Sequence, residues 1–317
     1  MSPKKQGNDK ILAKQIREAI QRSGYLIEQR VEPIIRQSFG YVQTNPIYKD
    51  PDTDKSCELD ISGLSASILD ENKPSCIFPM LLCECENNSQ PIVFFTTESF
   101  IPYLLRDDLK VSGIPVKFWD SDKNRYTNFA DFIGMEEFHH YCETKIATQY
   151  CTFQKKKEKE KPTWIALHSE EQHDTFNKLI KGIDYEIAKH FGSYRLPDEV
   201  SKEYVNVQIY YPLIILQGDL YSACLSNNRL ILKKEKHLKF SKQFFPLHKN
   251  EPETYQIDVI VESYLPKYLK MIEAEVDKIS KIFQQKKDLV SLSIQKIVDD
   301  IGKAGVDLSL YRNYLEL

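Results

Sequence analysis

The stretch Ile77-Phe78-Pro79-Met80-Leu81-Leu82-Cys83-Glu84-Cys85-Glu86-Asn87 decides how this chain is read. A nearly continuous apolar run, cut off by Asn87-Asn88-Ser89-Gln90, is the pattern of a strand buried on both faces. Side chains two apart on a strand point the same way, so Glu84 and Glu86 share a face and Cys85 turns to the other. An acidic pair at the end of a buried strand is costly unless something compensates it. A divalent cation held by carboxylate oxygens is the natural compensation.

Strand-like segments flank this one. Residues 41–48 and 57–64 read as strands on either side of the turn Asp50-Pro51-Asp52-Thr53-Asp54. In the second, Leu59 and Ile61 alternate with Glu58, Asp60 and Ser62, which brings a further carboxylate, Asp60, onto a neighbouring strand. Residues 91–96 and 114–119 are further strands, and residues 99–107 a short helix. Ahead of them, residues 11–22 are an amphipathic helix. A second helical pattern carries Leu26, Ile27, Val31, Ile34 and Ile35 and ends at Gly40, with Pro33 inside it as a kink or a late start.

From residue 135 the pattern changes. Residues 135–147 look helical. Residues 149–153 and 164–168 look like paired strands around the run Lys155 to Lys161. Residues 169–191 form a long helix with Ser169 as its N-cap. Residues 205–216, 220–225, 230–232 and 257–261 suggest a second, smaller antiparallel sheet, followed by helices. There Leu269, Ile272, Val276, Ile279 and Phe283 repeat at 3-4-3-4 spacing. So short a repeat points to core packing before a dimer seam.

Composition bounds the possibilities. The chain has 317 residues, 41% hydrophobic and 28% charged, which is ordinary globular usage. Its 43 basic and 46 acidic residues give a net charge of -3. That is no global footprint for nucleic acid, although local patches such as Arg229 to Gln243 matter more than the sum. The longest uncharged stretch, residues 204–218, is too short and too interrupted to span a bilayer. No apolar leader follows the N-terminus, and the seven cysteines lack disulfide-like spacing. The expectation is a reduced, cytoplasmic protein without membrane association.

Gly24-Tyr25-Leu26-Ile27-Glu28, Ser56-Cys57-Glu58-Leu59-Asp60-Ile61 and Leu81 to Asn87 follow one another in the order helix acid, hairpin Asp, apolar strand, Glu. In this the chain resembles the PD-(D/E)XK nuclease superfamily over roughly residues 20–120. The resemblance implies an α/β, restriction-endonuclease-like core, a mixed central sheet flanked by helices, over residues 1–134. Residues 135–317 would then be an α+β portion with a small antiparallel sheet and terminal helices. It implies a metal-dependent endonuclease acting on DNA, with Mg2+ as cofactor and Mn2+ as substitute. Asp60, Glu84 and the Cys85 carbonyl would be the ligands. Glu28 would be the helix acid, with Glu32 as its substitute. Glu86 stands where the family places lysine. Some restriction enzymes of the family carry Glu-x-Glu, and Glu86 would then be a base on water or a ligand to a second metal. A role in defence against foreign DNA fits the resemblance. The alternative is a catalytically degenerate module that binds nucleic acid or a protein partner. The two part on whether a lysine from elsewhere, such as Lys73 or Lys110, reaches the site. The C-terminal region would bind substrate, oligomerise or contact a partner.

Other candidates are weaker. His139, His140 and Cys142, and His168 with His173, invite a zinc reading. Adjacent histidines on a helix face different ways, so the default is helix-surface or core histidines. Cys83 reads as a small buried hydrophobe. No phosphate-binding glycine loop occurs.

Overall fold

The apolar runs become strands of one large sheet. The computed structural model describes residues 11–23, 25–50, 53–71, 75–98, 109–156, 163–168, 170–193, 205–245 and 251–304. Helices α1 (Ala13–Arg22) and α2 (Tyr25–Ile35) precede strands β1 (Tyr41–Thr44), β2 (Ile47–Lys49), β3 (Ser56–Glu58), β4 (Ile61–Leu64) and β5 (Ser67–Asp70). The long β6 (Ser75–Glu86) and β7 (Ile92–Glu98) follow. Then come β8 (Val111–Ile114), β9 (Lys117–Asp120), β10 (Arg125–Asn128) and the short helix α3 (Phe129–Ile133). The remainder is β11 (Lys145–Lys156), β12 (Thr163–Leu167), α4 (Glu170–Ser193), β13 (Asn206–Leu216), β14 (Leu220–Ser226), β15 (Arg229–Glu235), β16 (His237–Phe244), β17 (Glu253–Val261), α5 (Leu265–Gln285) and α6 (Lys287–Ala304). The helix expected over residues 99–107, Ser169 as N-cap and Lys73 lie outside the described residues.

Among the described residues, thirteen strands form a mixed sheet with the main order β1-β4-β6-β13-β17-β16-β11-β7-β14-β15. Its centre is parallel: β13 runs beside β6 from Asn206↔Cys76 to Leu216↔Glu86, and beside β17 from Leu213↔Asp258 to Leu216↔Val261. The strands expected to make a separate small sheet therefore belong to the main one. The reason is visible in β13, where residues 209–216 are all buried. A strand apolar on both faces is stable only in the middle of a covered sheet. Strands from both sides of residue 134 share this sheet, since β6 bonds to β13 and β7 to β11 and β14. Arg30 on α2 also reaches Glu262 with two hydrogen bonds, of 2.6 and 2.8 Å.

Alternation along β6 divides the core into two layers. Ile77, Leu81 and Cys83 face α2 and α5, while Met80 and Leu82 face α4. All seven cysteines are free, and Cys83 is fully buried.

Several expectations need correction, among them the strands over residues 41–48 and 114–119, which divide into β1 and β2 and into β8 and β9 in different sheets. The strand over residues 57–64 breaks at Leu59-Asp60, where the Leu59 and Asn45 N–H groups donate to Pro46 and Asp60 carbonyls. Asn45, at φ 51°, takes the left-handed turn that permits this. Residues 135–147 are not a helix. Two 3₁₀ turns, Met135–Glu137 and His140–Cys142, lead into β11, which pairs with β7. A partner strand overrides the local helical spacing. The helix α2 continues through Pro33 and stops at Ile35 rather than running to Gly40. The pairing of β11 with β12 and the helix α4 follow the sequence reading. Among the described residues no helix is long and apolar enough to cross a membrane.

Leu269, Ile272, Val276, Ile279 and Phe283 of α5 are all buried in the core below 5% exposure. Ile279→Ala should therefore lower stability to urea by about 2–5 kcal/mol, with a midpoint that does not move with protein concentration. A loss that vanished at high concentration would mark α5 as an intermolecular seam instead.

Candidate active site

The break before β4 places Asp60 beside the end of β6. Its Oδ2 accepts a 2.7 Å hydrogen bond from the Cys85 backbone N–H. Glu84 and Glu86, on the same face of β6, both meet α4. The Lys178 ammonium lies 2.8 Å from Glu84 Oε2 and 3.7 Å from Asp60 Oδ1. Thr175, three residues earlier and on the same side of the helix, donates its hydroxyl to Glu86 Oε1. Asp60, Glu84, Glu86 and Lys178 thus converge from three elements.

Several contacts fix α4 at this distance. The Tyr48 hydroxyl donates to the Lys178 carbonyl at 3.1 Å, and Lys181 pairs with Asp50 at 3.0 Å. Gly182 faces Leu59; a Cβ there would come within 2.8 Å of a Leu59 methyl. The missing side chain lets the helix lie close over the residue preceding Asp60. On the far side, Asn87 donates to the Ser23 carbonyl at 2.8 Å, tying the end of β6 to the turn before α2.

Glu84 is 4% exposed. Burial, and then the charge of Asp60, push its pKa up to about 8, against the opposing pull of Lys178. Its second oxygen, Oε1, is buried and accepts no hydrogen bond. Such an orphaned oxygen costs about 1–3 kcal/mol unless a ligand satisfies it. Glu28 on α2 is also raised, by partial burial and then by Asp60, with Lys178 opposing. Glu28 therefore belongs to this electrostatic group, whereas Glu32 is taken up by Arg36. Lys178 sits above its ordinary value: burial would lower it, but Glu84 and Asp60 hold the proton.

Of the two lysines proposed from sequence, Lys110 is paired with Glu253 at 2.9 Å, away from the site. The lysine that arrives, Lys178, was not anticipated. A signal existed: Lys178 adjoins the apolar stripe Phe176, Leu179, Ile180 and Ile183, next to a mid-helix glycine. Nothing local says that this stripe covers β6. Comparison with protein-family models, with curated proteins and with solved structures returns no match.

The raised Glu84 pKa has a linked consequence. Between an unfolded value near 4.5 and a folded value near 8, the folded chain keeps a proton that the unfolded chain releases. Stability from this group is full below the lower value and is lost as pH rises through the upper one. In chelator, the wild-type melting temperature should fall between pH 6 and 9 more steeply than that of Glu84→Gln. Parallel curves would show that Glu84 does not carry this titration.

Proposed function

We propose that this chain is a metal-dependent endonuclease that hydrolyses DNA phosphodiester bonds, with Mg2+ as its ion and Mn2+ as a substitute. The observation that carries the reading is the buried, unpartnered Glu84 Oε1 beside Asp60, at the end of a strand over which α4 brings the Lys178 ammonium. Hard carboxylate oxygens, with the Asp60 side chain still partly exposed, suit a small divalent cation that keeps several waters. Asp60 and Glu84 would hold it, with the Cys85 carbonyl as the further ligand. The ion would supply Lewis-acid stabilisation of charge on the phosphoryl oxygens.

The protein's own groups account for the rest. Lys178 takes the role of the lysine that Glu86 displaces. Its ammonium orients water and offsets negative charge on the five-coordinate phosphorus. Glu86, oriented by Thr175, accepts the water proton. Glu28 flanks Asp60 and adds negative potential at the rim.

Mn2+ or Mg2+ should raise the melting temperature of wild type, since an ion bound only by the folded form adds about 2.7 kcal/mol at 100 times its Kd. Asp60→Ala should remove that rise. An equal rise in both would exclude this site as the cause.

Cleavage of plasmid and single-stranded DNA supplies the functional test. Glu84→Ala, Glu86→Ala and Lys178→Met should each lower the rate about 10²–10³-fold. Glu86→Lys should not restore it, because a protonated lysine is neither a base nor a ligand. Wild type no faster than Glu84→Ala with either ion would assign the chain to a non-catalytic binding role. Cleavage unchanged by Glu84→Ala would point to another site or a contaminant.

A further inference from the structure

A second group of titratable side chains lies on the opposite face of the sheet. Cys83, Leu213 and Asp258 occupy one row across β6, β13 and β17, so Asp258 lies about 10 Å from Cys83, two strand spacings away. Asp258 is fully buried under α5. His140, from the turn that replaces the expected helix, places Nε2 2.9 Å from Asp258 Oδ2. His237 on β16 places Nε2 2.7 Å from Asp258 Oδ1. Without a helix at residues 135–147, the geometric reason for setting His140 aside no longer holds.

The surroundings of these three residues are those of ligands held by outer partners. His140 Nδ1 lies 2.8 Å from Glu275 Oε1, and the His140 backbone N–H donates to the same oxygen at 2.8 Å. With Glu275 holding the Nδ1 proton, release of the Nε2 proton to solvent would free the Nε2 lone pair for an incoming cation; carboxylate–histidine pairs orient metal ligands in this way. The Tyr268 hydroxyl donates to Asp258 Oδ2 at 2.7 Å and orients that carboxylate. Lys239 donates to the carbonyls of His140, Tyr141 and Glu143, at 2.9, 3.2 and 2.5 Å, and pins the turn. His139 is excluded as a ligand. Its Nδ1 accepts the Tyr141 N–H at 3.2 Å, so its proton sits on Nε2, facing Glu275 Oε2 at 3.5 Å. That oxygen and His139 Nε2 are buried without a hydrogen bond within normal reach.

We propose that His140, His237 and Asp258 form a binding site for a borderline divalent transition metal, zinc above all, with Glu275 and Tyr268 fixing the ligands. Two imidazole nitrogens and one carboxylate are a zinc donor set with a fourth position open. Ligand atoms about 2.0–2.2 Å from one tetrahedral ion lie about 3.3 Å apart; the three ligand atoms here lie within 4.8 Å of one another, and each imidazole would draw back from Asp258 by about half an ångström to admit the ion. His237, with 14% of its side chain exposed and stacked on Tyr264, marks the way in. The hard carboxylate site at Glu84 lacks imidazole, so the two sites differ in ion class.

The test is elemental analysis of the full chain after chelation and reloading, with Co2+ as an optical probe. Wild type should retain about one Zn2+ per chain, and the Co2+ form should show the visible absorption of tetrahedral nitrogen and oxygen ligation. His237→Ala, which alters the least buried of the three ligands, should lose both signals. Glu275→Gln should weaken zinc affinity about 10- to 100-fold. Asp60→Ala combined with Glu84→Ala should leave zinc binding unchanged. Folded wild type that retains no more zinc than His237→Ala would overturn the proposal, leaving His140 as an imidazolium between two carboxylates. Zinc lost from the double variant but kept by His237→Ala would overturn it as well.

Discussion

The parallel pairing of β6 with β13 is the contact from which the rest of the structure follows. Parallel neighbours need a crossover between them. Here the crossover runs from Asn87 to Val205, and its last described element is α4. That helix returns over the sheet face on which Glu84 and Glu86 lie. The same geometry that puts β13 beside β6 thus delivers Lys178 to Glu84. Had β13 joined a separate sheet, β6 would have remained an open, strongly apolar edge, which proteins avoid.

Charge compensation sets the character of both faces. Glu84 cannot be dry and ionised at no cost, and one ammonium satisfies only one of its oxygens. The site is held together without an ion but is left one partner short. On the other face, Asp258 is surrounded: His140, His237 and Tyr268 all direct hydrogen-bonding groups at it. Opposing charges hold the Asp258 carboxyl far below the usual carboxylate range, against the effect of burial, and hold His140 up at about 10. The two clusters use one sheet as a common wall, because alternate residues of its central strands serve opposite layers.

Packing supports both. Tyr48, Leu59 and Gly182 set the approach of α4, while Tyr268 and Glu275, two helical turns apart on α5, reach Asp258 and His140. The exposed β15, with Leu230, Ile231 and Leu232 open to solvent, carries none of this load.

Features that depend on local order are legible in the residues alone. The uninterrupted apolar run of β6 announced a buried strand. The two-residue spacing put Glu84 and Glu86 on one face, and alternation around Asp60 offered a third carboxylate. Periodicity also gave α4 and the buried stripe of α5. Which strands become neighbours is settled by long-range packing. Pairing energy is the same whether β13 lies against β6 or in a sheet of its own until the buried faces of both are counted. Residues 135–147 show the limit most clearly: their helical spacing was real, but a free edge on β7 outweighed it. With the helix gone, His140 could reach Asp258. Lys178 was equally out of reach from sequence, since a lysine beside an apolar stripe says nothing about the carboxylate it will meet 94 residues away in the chain.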